Sequence, residues 1–320
     1  MAVAGGTTAI PGRTGEALTL ARASRGRPPG HAAQMRFVAL ALLPIGTLFF
    51  VFAVLPVAIA IWLSFHRYNQ LAPDVPFIGL RNFSFAFTED PFFRNALGNT
   101  LKFAAVAVPL NIVIALPIAL ALNSVTRLKA VFRSAFFLPT ISSAVAVGLI
   151  WRVIYDPQAG WLNAALESVG LEGHSWLSQP ATALWAVMVA ALWQDLGYNI
   201  LILLAGLQGI PDDFLDAAKV DGAGTLRRFF DVTLPLLRRT ILFVVVLTAI
   251  SYMQEFTHVS VMTNNGGPVR SSETLVVYIW ETGFGSLRMG YAASMAIILM
   301  LMVLGITLVQ LRLLRTRWEY

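Results

Sequence analysis

Two carboxylates stand inside long apolar runs. Asp195 falls within a run from about residue 181 to 207, and Glu255 within one from residue 240 to 262. An acid at the centre of a membrane-length apolar segment costs about 2.5–3.5 kcal/mol on insertion scales, so it is by default a candidate for function. Tyr198 and Asn199 lie within one helical turn of Asp195. Thr248, Tyr252 and Glu255 recur at i, i+4 and i+7, the spacing that puts side chains on one helical face. Hydroxyl, aromatic and carboxylate groups on such a face can hydrogen-bond the hydroxyls of a ligand and stack on apolar ring faces. Two acids beside them count against a strongly anionic ligand. The same acids can instead sit near the membrane boundary, or hold helices together by pairing with Arg152 or Arg288. The spacing leaves both readings open. Asn111, in a separate apolar run, is read as an interhelical hydrogen bond.

Other chemistry is absent. There is no cysteine, hence no disulfide, thiolate nucleophile or thiolate metal site. His31, His66, His174 and His258 are scattered and give no metal-ligand spacing, so no metal is expected. A phosphate-binding P-loop needs Gly-Lys followed by Ser or Thr. The only lysines, Lys102, Lys129 and Lys219, follow Leu, Leu and Ala, so this chain cannot hydrolyse ATP by that route. No HExxH, GxSxG or paired DxxD arrangement occurs. No catalytic residue is assigned, and a membrane-embedded enzyme is the weaker alternative. A stand-alone carrier usually shows more spans arranged as repeats.

The elements that must position Asp195 and Glu255 are membrane helices. The chain is 57% hydrophobic and 12% charged, against about 25% charged in soluble domains. A span needs about 20 apolar residues. Six candidates run from Phe37 to Leu63, Phe103 to Leu122, Ser134 to Ile154, Ala181 to Leu207, Thr240 to Met262 and Gly290 to Leu311. This makes an all-α, multi-pass protein of the cell membrane. The net charge of +6 reflects basic loops rather than a nucleic-acid partner. Arg13, Arg22, Arg25, Arg27 and Arg36 precede the first span. Arg127, Lys129 and Arg133 lie between the second and third. Lys219, Arg227, Arg228, Arg238 and Arg239 lie between the fourth and fifth, and Arg312, Arg315 and Arg317 close the chain. All four groups fall on one side, which the positive-inside rule makes cytoplasmic, together with both termini.

Residues 1–35 are expected to be a disordered tail, 36–315 the six-helix domain with its core at about 95–312, and 316–320 a short cytoplasmic end. Prolines in the first three spans remove helix hydrogen bonds and imply local bends. Asn82 to Leu97 and Asp156 to Leu171 read as short amphipathic segments at the interface.

The loop of residues 209–236 is polar between two apolar spans. Asp212 and Asp213 suit the start of a helix, Gly222 a turn after it, and Thr225 to Phe230 a second short helix. Ala217, Ala218 and Ala223 would let another surface approach the backbone closely. Phe229 and Phe230 could anchor the loop on the membrane helices.

The ordered run Asp216-Ala217-Ala218-Lys219-Val220-Asp221-Gly222-Ala223, followed by Phe229 to Pro235, resembles the EAA loop of binding-protein-dependent ABC permeases. That pattern is E-A-A-x-x-D-G-A and then F-x-x-I-x-L-P. Asp216 stands for the usual Glu and Val232 for the usual Ile. The segment Trp193 to Pro211 resembles the sugar-permease pattern W-x-x-x-G-x-N…A-G-L-Q-x-I-P. The resemblance covers about residues 36–315. It implies a type I ABC importer permease fold with Asp216, Ala217, Ala218, Asp221, Gly222 and Ala223 contacting an ATPase. It also implies partners: a second homologous permease subunit, an ABC ATPase dimer that binds ATP and Mg, an extracytoplasmic solute-binding protein and membrane lipid. The cargo implied is a sugar or oligosaccharide, or alternatively glycerol 3-phosphate or a glycerophosphodiester. In that family the two helices flanking the loop line the translocation path, which assigns Asp195, Tyr198, Asn199, Thr248, Tyr252 and Glu255 to it.

Overall fold

The computed structural model describes residues 31–72, 74–124 and 129–314. The tail arginines Arg13, Arg22, Arg25 and Arg27, together with Arg127, Arg315, Arg317 and the end 316–320, lie outside the described residues. Two compact units divide the chain, Met1–Val57 and Ala58–Tyr320.

In the first unit, α1 (His31–Phe49) runs into a π-helical turn at Phe50–Val54. α2 (Leu55–Ser64) follows it and carries the chain across the division after Val57 into the second unit. The wide turn stands just ahead of Pro56, which has no N–H to close an ordinary helical hydrogen bond.

The second unit is helical except for connections; among the described residues only His66 and Phe77 form a bridge of strand type. Its helices are α3 (Arg81–Thr88), α4 (Pro91–Ser124), α5 (Lys129–Ile141), α6 (Ala144–Ile154), α7 (Trp161–Ser168) and α8 (Ala183–Gln208). They continue as α9 (Asp212–Val220), α10 (Thr225–Arg228), α11 (Leu234–Met253), α12 (Thr257–Thr263), α13 (Leu275–Trp280) and α14 (Met289–Leu314). Five stretches are long and apolar enough to cross a membrane: Gln34–Ser64, Pro91–Ser124, Ala183–Gln208, Thr225–Met253 and Met289–Leu313. The bent pair Ser134–Ile141 and Ala144–Ile154 makes a sixth span if counted as one. Helices suit this environment because every backbone group is bonded within its own segment. At 34 residues α4 is about 50 Å long, well beyond a hydrocarbon core of about 30 Å.

α8 is the central element, packed against α4, α5, α11 and α12. Ala183, Ala186, Ala190 and Ala191 of α8 and Ala107, Ala115 and Ala119 of α4 are buried. Small side chains let membrane helices approach where lipid supplies no hydrophobic drive for pairing. Three apolar clusters follow α4 along its length. One surrounds Phe93 and Ala96, one Phe103 and Ala107, and one Ala115, Ala119 and Leu122.

Four expectations change. The bend expected in the third span is a full break: α5 and α6 meet at 105° just beyond Pro139. Ser143 between them is extended, and the Gln194 amide of α8 donates to the Ser142 carbonyl at 2.9 Å, satisfying backbone that the helix no longer covers. The fifth span ends at Met253 and restarts at Thr257, leaving Glu255 in the break. The second loop helix is not separate, because α10 passes through a π-helical turn at Phe229–Thr233 straight into α11, again just ahead of a proline, Pro235. Finally, Asn82 to Leu97 is two elements. Asp90 ends the connection after α3 and caps α4, accepting the backbone N–H groups of Phe92 at 2.9 Å and Phe93 at 3.1 Å.

Candidate functional site

A polar layer crosses the bundle between two of the apolar clusters. Asn199 of α8 donates its amide to Asn111 Oδ1 of α4 at 2.9 Å, and Asn111 donates to the Tyr252 hydroxyl of α11 at 3.0 Å. Asn111, Asn199 and Tyr252 are all buried, and the Tyr252 ring packs edge-on against Phe103. The interhelical role read for Asn111 from the sequence is therefore seen. Asp195 is half-buried, within hydrogen-bond reach of the Tyr252 hydroxyl and close enough to Glu255 and His258 for charge to act between them.

Glu255 finds its partner locally. Its Oε1 accepts from the backbone N–H of His258 and faces His258 Nδ1, both at 3.0 Å. The other ring nitrogen of His258 faces Gln194 Oε1 at 2.8 Å. Gln194 uses its amide hydrogens on Ser142, so one chain of contacts runs from the α11–α12 break through α8 to the α5–α6 break. The alternative pairing with Arg152 or Arg288 is not found. Arg152 donates to the Val261 carbonyl at 3.3 Å, and Arg288 lies over the Phe85 and Tyr291 rings.

Of the six pathway candidates, the structure gathers Asp195, Asn199, Tyr252 and Glu255. Thr248 is buried and spends its hydroxyl on the Val244 carbonyl of its own helix at 2.8 Å. Tyr198 is 48% exposed and makes no hydrogen bond to the layer's buried members. Because α11 stops at Met253, Glu255 does not extend the face of Thr248 and Tyr252. Sequence reasoning passed over Gln194 and His258. Their signal was present: a histidine three residues after Glu255, and a glutamine beside Asp195, each inside an apolar run.

The connection after α12 braces the break. Thr274 donates to the Glu255 carbonyl at 2.7 Å, and the Leu275 N–H donates to the Thr100 hydroxyl at 2.8 Å. Asp90 anchors the next layer, accepting from the hydroxyls of Tyr278 and Tyr291 at 2.6 Å each. Burial pushes the Asp90 carboxyl up, but those bonds and the Phe93 and Phe92 N–H groups outweigh it and hold the carboxyl below its usual range. Glu273, fully buried, goes the other way. Burial pushes it up to about 8, although Arg270 lies 3.3 Å away.

The second candidate region is the loop that includes α9. None of its nine helical residues is buried. Asp212 and Asp213 stand in its first turn and Lys219 in its last, each complementing the helix dipole. Asp216 and Lys219 pair at 2.6 Å on the open surface. The helix closes as a Schellman turn. Ala223 N–H donates to the Ala218 carbonyl at 2.9 Å and Gly222 N–H to the Lys219 carbonyl at 3.0 Å, with Gly222 at φ +75°. Asp216, Ala217, Asp221 and Gly222 are exposed, and Ala218 and Ala223 are half-buried. Large apolar side chains are exposed with them: Val220 at 88% and Leu226 at 75%. Phe229 is half-buried and touches Phe230, which stays exposed.

Residues 17–317 match the family described as binding-protein-dependent transport system inner membrane component. The chain belongs to that family. It is a multi-pass membrane component of a transport system, not an enzyme, and the EAA motif is typical of its relatives. It is 32% identical over 83% of its length to the arabinooligosaccharides transport system permease protein AraP of Bacillus subtilis (strain 168), covering 84% of that protein. It is 30% identical over 84% of its length to the sn-glycerol-3-phosphate transport system permease protein UgpA of Yersinia pestis, covering 91% of it. Among solved structures, a chain of a bacterial alginate ABC transporter, in complex with an alginate pentasaccharide-bound periplasmic protein, superposes with a TM-score of 0.77. It is 22% identical and covers 88% of this chain and 95% of that one. The transport component therefore has the fold of an ABC importer permease.

Proposed function

We propose that this chain is one of two transmembrane subunits of an ATP-driven importer for a sugar or oligosaccharide, with both termini and the 209–236 loop in the cytoplasm. The observation that carries the reading is α9. It is a helix of acids and alanines with no buried residue, closed at Gly222 and flanked by exposed Val220 and Leu226. A single chain gains nothing from exposing that surface, whereas docking into a partner covers it. Asp216, Ala217, Ala218, Asp221, Gly222 and Ala223 meet an ABC ATPase dimer there, and the dimer supplies ATP and Mg. A second homologous subunit completes the path, and an extracytoplasmic solute-binding protein delivers cargo.

Asp195, Tyr198, Asn199, Thr248, Tyr252 and Glu255 belong to the path through the membrane. Their buried members set its shape, and Asp195 and Tyr198 are the ones open enough to meet cargo. The similarity to AraP and the two carboxylates of the polar layer support a neutral, hydroxyl-rich cargo. The similarity to UgpA supports the second reading, glycerol 3-phosphate.

The test is purification of the tagged chain with whatever assembles on it, followed by uptake into vesicles. An ATPase, a second permease chain and sugar uptake are expected. Transport by a complex containing only this chain would overturn the assembly. Uptake of glycerol 3-phosphate but of no sugar would move the assignment to the second reading.

A further inference from the structure

A cavity of about 400 Å³ opens between the segment after α2, helix α3 and the start of α14. Arg67, Arg81 and Arg288 line it, with Asp74 as the single acid among its lining residues. None of the three guanidiniums pairs with a carboxylate among the described residues. Arg288 is held over the rings of Tyr291 at 5.1 Å and Phe85 at 5.5 Å, contacts that fix a guanidinium without neutralising it.

The walls are joined to one another. Gly290 N–H donates to the Tyr68 carbonyl at 3.0 Å, and Asn82 donates to the carbonyls of Ser64 at 2.8 Å and His66 at 3.1 Å. A Cβ at Gly290 would lie 2.2 Å from the His66 oxygen, so glycine is what permits this approach. Three like charges held around one opening repel one another until an anion enters. The planar fork of a guanidinium matches the oxygens of a phosphate group.

The rim identifies where that anion comes from. Leu71, Phe77 and Leu80, each next in the chain to a lining residue, are exposed, and so is Trp62 near the end of α2, stacked on His66. Tryptophan and tyrosine at the end of a span mark the membrane–water boundary, and apolar side chains beside them face the hydrocarbon. We infer that this cavity binds the phosphate of an anionic phospholipid, with its acyl chains lying along the exposed apolar rim. Inorganic phosphate shares the charge but has nothing to place on that rim.

Native mass spectrometry of the intact complex, titrated with phosphatidylglycerol or phosphatidylcholine in detergent, tests this. The wild type should retain phosphatidylglycerol in preference to phosphatidylcholine. The Arg67→Gln/Arg81→Gln/Arg288→Gln variant should hold one phosphatidylglycerol fewer, with affinity at that site weakened about 100-fold for three lost charges. Arg94→Gln, an exposed arginine elsewhere, should leave the retained lipid unchanged. If the triple variant fails to assemble, Arg81→Gln alone is read for a loss of about fivefold. Unchanged phosphatidylglycerol in these variants would overturn the site. Binding of inorganic phosphate that depends on the three arginines, without lipid preference, would overturn the lipid assignment. Loss of a bound partner protein with lipid retention unchanged would make the cavity a protein-docking surface and overturn the inference as well.

Discussion

Tyr252 and Tyr198 separate holding the bundle from meeting cargo. The Tyr252 hydroxyl is buried and accepts from Asn111, which is itself committed to Asn199. Tyr252→Phe leaves an Asn111 N–H without a partner in the interior, which costs about 1–3 kcal/mol. The expected result is a lower unfolding temperature of the purified complex. Tyr198 is 48% exposed and makes no such bond among the described residues. Tyr198→Ala should leave the unfolding temperature alone and lower uptake or change which cargo is carried. Uptake unaltered at Tyr198 would remove it from the path. Asp195 and Glu255 were visible as candidates because each is a charge inside an apolar run. Their surroundings were not visible. The His258–Gln194 contact joins residues 64 positions apart and exists only because α11 breaks at residues 254–256.

At the scale of elements, the spans α4, α8 and α14 were legible because apolar composition alone sets where a membrane helix runs. Pro139 announced a bend in the third span, but not a 105° break beyond it at Ser142 and Ser143. What permits the bend is a distant side chain, Gln194, satisfying the freed carbonyl. The π-helical turns at Phe50–Val54 and Phe229–Thr233 share a local cause in Pro56 and Pro235, so the prolines announced a disturbance but not its form. The end of α9 was legible in detail, because φ +75° at Gly222 is a conformation that other residues adopt at a cost of about 1–2 kcal/mol. No atom lies within 4 Å of a Cβ built there, so backbone strain is the only penalty within the chain itself. Gly222→Val should therefore insert and assemble its membrane helices normally but lose cargo-stimulated ATP hydrolysis. Gly222→Asn is the informative companion, because asparagine tolerates the left-handed turn. Activity restored by Asn would place the requirement in the turn. Loss with Asn as well would place it in close approach by the ATPase. Full activity of the Val variant would detach Gly222 from coupling.

At the scale of the whole molecule, orientation decides which partner meets which end. Arginines and lysines, several of them in segments beyond the described helices, favour cytoplasmic termini. The chain contains no cysteine, so a single introduced thiol reports on its own position without background. Val220 at the end of α9 is 88% exposed, and Val269 in the connection after α12 is 89% exposed. They flank the fifth span, α10 to α11, which is long and apolar enough to cross the bilayer once. In intact cells a membrane-impermeant maleimide should label Val269→Cys and spare Val220→Cys. After permeabilisation Val220→Cys should become reactive, and adding the ATPase should protect it again, because an exposed apolar side chain on a docking helix is covered when the partner seats. The reverse pattern, with Val220→Cys reactive in intact cells, would put the α9 loop outside. No ATPase could then reach it, and the importer reading would fail with it. Equal labelling at both positions in intact cells would contradict a single crossing between them. The two sites are therefore read as a pair, and protection of Val220→Cys by the ATPase is what links topology to coupling.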